Sequence, residues 1–330
     1  GCVRVGRPWE GPLPEASAVR IMAGAPGRAG LDAGIPMEKV RVEGDCITFE
    51  PAGLRPGTNV RRQGESFRAG EGLLTAPRRL TRGDIGLAAS LGYAKRSCRP
   101  VVRAAVFSSG DELVEPSDGR PLSDGRIYNA NGAYVTLAAR ALGIDAEYAG
   151  ILPDDDAVIE ARFREAAATH DLVICSGGVG PGDCDFTAAV LNRLADLRHY
   201  HVALRPGKPF SFGYFTEAHT PILGLPGNPV ASATSAENFL RTAVEALQGV
   251  HEKQLVLTAR LEGRIKSRAG RRDIVRGVLK TAADGTLLFT PCPPQSSASL
   301  LSVSQSNAAA SVPEGAGLLQ AGDAVRVVIP

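Results

Sequence analysis

The chain has 330 residues, of which 44% are hydrophobic and 22% charged, an ordinary globular composition in a chain too long for one compact core. A formal charge of +2 is too small to favour nucleic acid as the main partner, and no segment approaches the roughly 18–20 apolar residues of a membrane-spanning helix. The first residues show no signal-peptide pattern, so we expect a cytoplasmic protein. Because they lack an initiator Met, we also expect that an N-terminal piece is missing or was removed.

The predicted elements change in character along the chain. Residues 1 to about 100 contain short β-prone runs, such as 40–49, broken by glycine and proline. From there to about residue 248, apolar runs alternate with segments of helical spacing. The predicted strands are 103–108, 145–152, 171–175, 200–204, 210–215 and 222–225. The predicted helices are 132–142, 154–168, 186–197 and 228–247.

This alternation predicts βαβ units that form a doubly wound, mostly parallel sheet covered by helices on both faces. Ligands of such sheets bind at the carboxyl ends of the strands. After residue 250 the pattern returns to short strands and turns, at 255–261, 274–279 and 325–329. We therefore predict a multidomain α/β protein with a small all-β domain after the sheet.

The cysteines and histidines suggest no metal centre or disulfide framework. There is no Cys-x-x-Cys pair, and the cysteines are too sparse for a framework of bridges. We expect reduced and mostly buried thiols at Cys2, Cys46, Cys98, Cys175, Cys184 and Cys292. His199 and His201 would share one face of a strand, but we expect them at the surface and predict no zinc site.

The stretch SGGVGPGD (176–183) leaves a predicted strand and enters a predicted helix. Glycines let backbone N–H groups approach an anion, and the N-terminus of the helix adds a favourable dipole. The loop is neither a Walker loop nor a Rossmann fingerprint. Asp183 and Asp185 could hold a hard cation such as Mg²⁺ through oxygen. The alternative is that the glycines only turn the chain and Asp185 caps the next helix.

Three further loops carry polar groups, and each has a plain structural explanation. SSGDEL (108–113) follows a strand, where a polar turn is common. RPGKP (205–209) places two cations around a Pro-Gly turn, which suits either an oxyanion or a solvated basic turn. LPGNP (225–229) joins a strand to a helix, with Asn228 as N-cap and Pro229 at the first helical position.

In this order, SSGDEL, SGGVGPGDCDFT, RPGKPFSFG and LPGNPVAS closely resemble the motifs of the molybdopterin molybdenumtransferases, the MoeA and gephyrin E-domain family. RIMAGAP (20–26) is similar to the family's RIMTGAP, and NVRRQGE (59–65) to its Asn-Ile-Arg-x-x-Gly-Glu. GRRDIVRGVL (270–279) resembles the Gly-Arg-x-Asp/Glu-Phe-x-Arg segment of the family's last domain. The resemblance covers almost the whole chain.

The resemblance implies four parts and a homodimer. A β-rich subdomain, 1–55, is inserted into an elongated N-terminal domain whose remainder is 56–100. The α/β molybdopterin-binding domain is 101–248, and a β-barrel-like domain is 249–330. Sites are expected between one subunit's α/β domain and its partner's N-terminal regions. Further implied partners are other cofactor-synthesis proteins or molybdoenzyme chaperones, with no nucleic acid and no membrane.

The implied reaction takes adenylylated molybdopterin and molybdate, uses Mg²⁺, releases AMP and is a late step of molybdenum cofactor biosynthesis. The resemblance assigns catalysis to Asp185, Glu112 and Asp155, with Asp154 as the alternative to Asp155, and the metal to Asp183, Asp185 and Glu112. It assigns cofactor binding to Ser109, Gly110, Asp111, Ser176, Gly177, Gly178, Gly180, Gly182, Pro226, Gly227 and Asn228. The implied molybdate ligands are Arg205, Lys208 and Pro209, with Arg271 or Arg272 and Ser296 or Ser297.

Several positions depart from the family pattern. The family's leading Asn-Ser-x-Met-Asp-Gly-Tyr segment is not in this chain. Ala23 stands where Thr is common, Ser66 where Asp is usual, and Gly180 and Ala231 replace serines. These departures keep open a non-catalytic or altered paralogue that binds molybdopterin or the finished cofactor. A third hypothesis is a pterin- or nucleotide-binding hydrolase of the competence-damage type. The presence of both the RPGKP and the LPGNP motif argues against it.

Overall fold

The computed structural model describes residues 2–7, 9–27, 29–119, 121–178 and 186–330. The chain separates into two compact units, Gly1–Ala76 and Pro77–Pro330. This division does not test the domain boundaries predicted near residues 55, 100 and 248, so they stay predictions. Within the described ranges, no helix combines the length and apolar character that crossing a membrane requires.

The first unit contains only short elements. Strands β1 (Cys2–Val3) and β2 (Arg20–Ile21) pair in parallel. A 3₁₀ turn at Met37–Lys39 leads into β3 (Val40–Glu43), which pairs with β4 (Cys46–Phe49) as an antiparallel hairpin. The predicted β-prone run at 40–49 is therefore confirmed. Of the described hydrophobic residues in this unit, only Val3 is buried.

The second unit begins with an α/β part whose elements run in chain order. They are α1 (Arg82–Ser90), β5 (Arg103–Ser109), β6 (Leu113–Val114), β7 (Ile127–Tyr128), α2 (Asn131–Ala141), β8 (Asp145–Leu152), α3 (Asp156–Thr169), β9 (Leu172–Ser176), α4 (Phe186–Leu194), β10 (Ala195–His201), β11 (Leu204–Arg205), β12 (Pro209–Phe215), β13 (Pro221–Leu225), α5 (Pro229–Ser235) and α6 (Arg241–Gln248). A 3₁₀ turn lies at Pro116–Asp118, and a π-helical turn, Ala236–Leu240, joins α5 to α6.

The central sheet has the strand order β10-β12-β13-β9-β5-β8. The four strands β13, β9, β5 and β8 are parallel, β12 runs antiparallel to β13, and the edge strand β10 runs antiparallel to β12. Helix α2 packs on one face through Val135 and Ala139, together with the segment from α5 to α6. Helices α3 and α4 cover the other face, where Phe163 and Leu191 are buried. The predicted doubly wound, mostly parallel sheet is confirmed.

Two predicted elements in this part are wrong at their ends. The helix predicted over 186–197 stops at Leu194, because Ala195 starts β10 and pairs with Phe215. The strand predicted over 200–204 is the end of β10, and only Leu204–Arg205 forms a separate strand. The apolar residues continue at helical spacing past Leu194, so the sequence pattern does not mark the change.

The second part of this unit is a closed barrel. Its elements are β14 (Val256–Leu261), β15 (Ile265–Lys266), β16 (Arg272–Thr281), β17 (Leu287–Pro291), α7 (Leu301–Gln305), β18 (Ala308–Val312), β19 (Leu318–Leu319) and β20 (Ala324–Val328). Five strands pair in a ring, β16-β17-β14-β20-β18, and β18 pairs with β16 again. The interior is filled by residues such as Phe289, Ala310 and Val327. The predicted barrel-like domain is confirmed.

The prediction of mostly buried thiols is wrong for three cysteines. Cys2, Cys46 and Cys98 are exposed, whereas Cys175 and Cys292 are buried, and Cys184 lies outside the described residues. Cys2 and Cys46 belong to the first unit, which has too little interior to cover them. His199 is half-buried and its Nδ1 lies 2.8 Å from the Ser211 hydroxyl, while His201 is exposed.

Candidate functional site

Three of the predicted loops follow neighbouring parallel strands at the same edge of the sheet. SSGDEL ends β5, the glycine loop follows β9, and LPGNP follows β13. From β5 the chain passes through α2 to β8 on one side, whereas β9 lies on the other side of β5. The strand order therefore reverses between β5 and β9, and such a point forms a crevice suited to a ligand.

Two glycines after β9 are required by a positive φ and by close contacts with Ser109. Gly177 has φ +89°, and a Cβ there would lie 2.6 Å from the carbonyl oxygen of Ser109. Gly178 has φ +59°, and a Cβ there would lie 2.6 Å from the Ser109 hydroxyl, which hydrogen-bonds with Thr187 at the start of α4. Neither position accepts a side chain without strain. Gly180, Gly182, Asp183 and Asp185 lie outside the described residues.

Asn131 and Ser176 join the loops after β9 and β13. Asn131 is buried at the start of α2, and its Nδ2 donates to the Ser176 hydroxyl at 2.9 Å and to the Gly227 carbonyl at 2.7 Å. Ser176 in turn donates to the Pro226 carbonyl at 3.2 Å and lies 3.0 Å from the Ser232 hydroxyl. Asn131 and Ser232 were not among the predicted site residues. A buried Asn has no sequence signal of its own.

A second polar group supports the end of β5. The Ser108 hydroxyl donates to Asn129 Oδ1 at 3.0 Å, and Asn129 Nδ2 donates to the Tyr148 hydroxyl at 2.6 Å. Tyr148 in turn donates to Glu115. Burial, followed by the hydrogen bond and charge of Glu115, raises the pKa of Tyr148 well above its ordinary value. Tyr148 therefore stays protonated and keeps donating.

The predicted acidic residues take different positions. The Asp111 carboxylate accepts from the Asp154 N–H at 3.1 Å, which ties the loop after β5 to the loop after β8. The Asp155 carboxylate accepts from the N–H groups of Ala157 and Val158 at 2.9 and 3.0 Å, so it caps α3. A catalytic role for Asp155 stays a prediction, but the cap already explains an acid there.

Glu112 lies directly over Gly110. Gly110 has φ +137°, and a Cβ there would overlap the carboxylate of Glu112. The carbonyl of Glu112 accepts from Ile127 N–H at 2.8 Å, where β6 and β7 begin to pair. The side chain of Glu112 is exposed. Its carboxylate therefore offers hard oxygen atoms beside the crevice, of the kind that Mg²⁺ prefers.

The RPGKP loop meets the barrel through strand pairing. Strand β11 runs parallel to β16, with Leu204 opposite Arg272 and Arg205 opposite Asp273. Arg205 Nε lies 3.4 Å from the buried carboxylate of Asp273, and the Arg272 N–H donates to the Ala203 carbonyl at 2.9 Å. Two groups of predicted molybdate residues are thus brought together from positions far apart in sequence.

Lys208 is exposed, and its carbonyl accepts from Val202 N–H at 2.8 Å. Gly207 has φ +110°, and a Cβ there would lie 2.9 Å from the Ser235 hydroxyl of α5. The RPGKP loop therefore packs against α5, and Pro209 begins β12 directly after it. Arg271 is half-buried beside Arg272, whose guanidinium donates to Ser311 at 3.2 Å.

A barrel loop covers the start of α5. The Ser297 carbonyl accepts from Val230 N–H at 3.1 Å, and Asn228 Nδ2 donates to the Ser297 hydroxyl at 3.3 Å. Asn228 occupies the predicted N-cap position, but its side chain makes no capping bond, because Ser297 satisfies the helix instead. The neighbouring Ser296 hydroxyl accepts from Ala298 N–H at 3.3 Å.

Among the described residues, no three His, Cys, Asp or Glu side chains are grouped as a metal site. Asp183 and Asp185, which were predicted to share the metal with Glu112, are outside those residues. The predicted metal ligand that can be described is therefore Glu112, whose side chain is exposed.

Three family profiles match the chain in succession. Residues 3–92 match the MoeA N-terminal region (domain I and II), 105–246 a probable molybdopterin binding domain, and 258–329 the MoeA C-terminal region (domain IV). The MoeA protein of Pyrococcus horikoshii has a similar solved structure. One of its structures gives a TM-score of 0.75 at 28% identity and covers 99% of this chain and 79% of that one.

Relatives with assigned names agree. The molybdopterin molybdenumtransferase of Haemophilus influenzae is 38% identical over 275 residues, which is 82% of this chain and 67% of that protein. The molybdopterin molybdenumtransferase of Nostoc sp. is 30% identical over 321 residues, 96% of this chain and 73% of that protein. With its three domain matches and its fold, the chain belongs to the MoeA family of molybdopterin molybdenumtransferases.

Proposed function

We propose that this protein is a transferase that inserts molybdenum from molybdate into adenylylated molybdopterin and releases AMP, a late step of molybdenum cofactor biosynthesis. The observation that carries the proposal is the reversal of strand order between β5 and β9, where Gly177 and Gly178 let the loop after β9 pack closely against Ser109 at the end of β5. A second loop, RPGKP, brings cations to a strand shared with the barrel. Family membership supplies the reaction class.

The crevice suits the anhydride of an adenylylated pterin. The strand order reverses between β5 and β9, and α4 begins at Phe186, shortly after the glycine loop, so its N-terminus favours a phosphate there. The hydrogen bonds of Asn131 and Ser176 fix the two loops before the ligand arrives. Little reorganisation is then needed on binding, and a preorganised site is what stabilises developing charge.

Mg²⁺ is part of the proposal, held by Glu112 with Asp183 and Asp185. When bound, a divalent cation neutralises the charge that develops as a phosphoanhydride breaks. Glu112 fits the role because its exposed carboxylate lies next to the crevice. Asp185, Glu112 and Asp155 are the proposed catalytic residues, and the cap at α3 makes Asp155 the one with a competing structural explanation.

Molybdate is proposed to bind among Arg205, Lys208 and Pro209, with Arg271 or Arg272 and Ser296 or Ser297. The parallel pairing of β11 with β16 supports this grouping, because it places Arg205 beside the strand that starts at Arg272. Arginine and lysine together supply both directed hydrogen bonds and charge to an oxyanion. The serine loop packs on the start of α5 and so lies beside LPGNP.

We also propose a homodimer in the cytoplasm, with cofactor-synthesis proteins or molybdoenzyme chaperones as further partners. The first unit leaves large apolar side chains exposed, including Met22, Val42, Ile47 and Phe49 at 40–55%. Exposed apolar surface of this kind is typical of an interface. Light scattering after size-exclusion chromatography would contradict the dimer if the purified chain eluted with the mass of one 34.4 kDa copy.

The test is AMP release from adenylylated molybdopterin by the purified chain, with Mg²⁺ and with or without molybdate. Release that depends on molybdate supports the transferase, in spite of Ala23 and Ser66. Tight binding without release supports the non-catalytic paralogue instead. Absence of binding contradicts the assignment of the crevice.

A further inference from the structure

Arg276 is a buried cation that the proposed reaction leaves unexplained. It lies on β16, its side chain is only 2% exposed, and it points out of the barrel rather than into its apolar interior. Its guanidinium forms a two-point ion pair with Glu237, at 2.8 Å from Nη1 to Oε1 and 2.7 Å from Nη2 to Oε2. Nη2 also donates to the Thr234 hydroxyl at 3.3 Å. The barrel is thus held to the helix that follows LPGNP.

The carboxylate of this pair is supplied by an irregular piece of helix. Glu237 lies in the π-helical turn Ala236–Leu240 between α5 and α6. Such turns insert one residue into a helix and often mark functional positions. Tyr134 of α2 also donates to Glu237, so α2, the π turn and β16 meet at one carboxylate. Tyr134 is three residues after Asn131, which holds the loops of the crevice.

The backbone of Arg276 is held by a second set of contacts. Arg276 N–H donates to Gln295 Oε1 at 3.1 Å, and Gln295 Nε2 donates back to the Arg276 carbonyl at 2.8 Å. Gln295 immediately precedes Ser296 and Ser297, and Ser297 caps the start of α5. In the other direction, Arg276 is four residues from Arg272 along the same strand. One residue therefore connects both barrel segments that carry predicted molybdate ligands.

Stability alone does not account for a charge pair at this position. The free energy needed to desolvate two charges is about as large as the free energy gained from their attraction. Apolar residues of similar volume are therefore often at least as stabilising as a buried ion pair. A two-point pair between a guanidinium and a carboxylate does fix geometry, because both donors and both acceptors must align. The pair fixes how far β16 and the Ser296–Ser297 loop lie from α5.

We propose that Arg276 and Glu237 are positioning residues for the oxyanion site, by which we mean the proposed molybdate site. Their ion pair holds the barrel residues of that site, Arg271, Arg272, Ser296 and Ser297, at the distance from the RPGKP loop that molybdate requires. The inference rests on the proposed function and refines it. It predicts that loss of the pair weakens the use of molybdate, while the crevice for the pterin nucleotide keeps its affinity.

The main variant is the double substitution Arg276→Met with Glu237→Gln. Removing one partner alone would leave a buried unpaired charge and endanger folding, whereas the double change removes both charges. Gln at position 237 also keeps an acceptor for Tyr134. Arg276→Lys is the conservative variant, which retains the charge and loses the two-point geometry. Glu262→Gln is the matched control, since it breaks the ion pair of Glu262 with Lys280 at the other end of β16.

Three quantities would be measured for each full-length variant: the molybdate Kd by isothermal titration, the molybdate KM of AMP release, and the KM for adenylylated molybdopterin. We expect the double variant to raise the molybdate Kd and KM about tenfold or more, as for a displaced binding group. The KM for the pterin nucleotide should change less than about twofold. Arg276→Lys should fall between wild type and the double variant, and Glu262→Gln should match wild type.

An unchanged molybdate dependence in a folded double variant would overturn the inference. So would equal losses in all three quantities, since a purely structural pair would damage both sites together. The proposed function is tested separately, by AMP release from the wild-type chain. Wild-type chain that binds molybdate but releases no AMP contradicts the transferase, while the calorimetric comparison still decides the role of the pair. Wild-type chain that binds no molybdate contradicts both.

Discussion

At the level of single residues, the contact of Gly177 with Ser109 gives the most direct prediction. Gly177→Ala should destabilise the protein by about 3 kcal/mol or more, because φ +89° is unfavourable for alanine and the new Cβ would overlap the Ser109 carbonyl. Gly125→Ala is the matched control, with φ +79° and no atom within 4 Å of a Cβ. It should cost only about 1 kcal/mol. Urea unfolding measures both, and equal losses would show that the close approach is unimportant.

Lys208 gives a prediction about the substrate anion. Lys208→Ala should raise the molybdate concentration for half-maximal AMP release about tenfold, because one charge-assisted hydrogen bond to an oxyanion is lost. Lys208 is exposed and its carbonyl takes part in the loop's main-chain hydrogen bonding, so the fold should be unaffected. Lys253→Ala, in the segment after α6, is the control. A molybdate requirement equal to that of wild type would remove Lys208 from the anion site.

Asp185 gives a prediction about the metal. Asp185→Asn should lower Mg²⁺-dependent AMP release by about a hundredfold, because an amide is a weaker ligand for a hard cation and carries no charge. The Mg²⁺ concentration for half-maximal rate should rise in parallel. Asp118→Asn, in the 3₁₀ turn after β6, serves as the control. Full turnover at the wild-type Mg²⁺ concentration would show that Asp185 is not a metal ligand.

Single residues also mark the limit of prediction from sequence. The glycines and acids of the loops were predicted as site residues because the four loops, in their order along the chain, resemble the motifs of the family. Asn131 and Ser232 were not predicted, because their hydrogen-bond partners lie far away along the chain and no local pattern reveals them. Arg276 is the last Arg of the GRRDIVR motif, but its pairing with Glu237 could not be predicted from that motif. Asn228 was placed correctly but its hydrogen bond was not, since its partner Ser297 comes from the barrel.

At the level of elements, α1 begins with a reciprocal cap that makes its stability depend on pH. Thr81 Oγ1 accepts from Asp84 N–H at 3.2 Å, and the Asp84 carboxylate accepts from Thr81 N–H at 2.8 Å. That backbone hydrogen bond is the main cause that lowers the pKa of Asp84, and Arg78 adds to it at 2.9 Å. Because the pKa of Asp84 is lower in the folded than in the unfolded chain, its carboxylate stabilises the fold at pH values above the unfolded-state pKa. This stabilisation is lost as the pH falls through the folded-state pKa.

Asp84→Asn should therefore lower the melting temperature at pH 7. The difference from wild type should shrink as the pH falls from about 4 towards 2, because the wild-type carboxylate is then protonated as well. Asp124→Asn, in an exposed turn, controls for loss of one surface charge. Melting curves from about pH 2 to pH 7 measure the effect, and a difference that is constant with pH would contradict the role of the carboxylate.

Helices and strands were predictable where the same pattern of burial continues from their first residue to their last. Strand β9 is buried at all five residues, and its apolar run marks it clearly. The change from α4 to β10 at Ala195 was not predictable, because its cause is pairing with Phe215, which comes much later in the chain. The π turn at Ala236–Leu240 was not predictable either, since its apolar spacing fits an uninterrupted helix.

For the whole molecule, the two compact units should differ in independence. All hydrophobic clusters found among the described residues lie in Pro77–Pro330, whereas Gly1–Ala76 buries little beyond Val3. A chain of residues 77–330 should thus fold alone and melt within about 5 °C of the main transition of the full chain. A chain of residues 1–76 should lack a cooperative transition. Circular dichroism melting tests both, and a cooperative transition in the shorter piece would contradict the argument.

The closed barrel also predicts the order in which the proposed sites form during synthesis. The loops after β5, β9 and β13 belong to a sheet whose last strand ends at Leu225. Strand β16, which starts at Arg272, pairs with β11 and β17, but the ring that contains it closes only when β18 also pairs with it and with β20 (Ala324–Val328). We therefore expect a chain emerging from the ribosome to complete the proposed nucleotide crevice before the proposed oxyanion site, so that an unfinished chain would bind the pterin nucleotide before it binds molybdate.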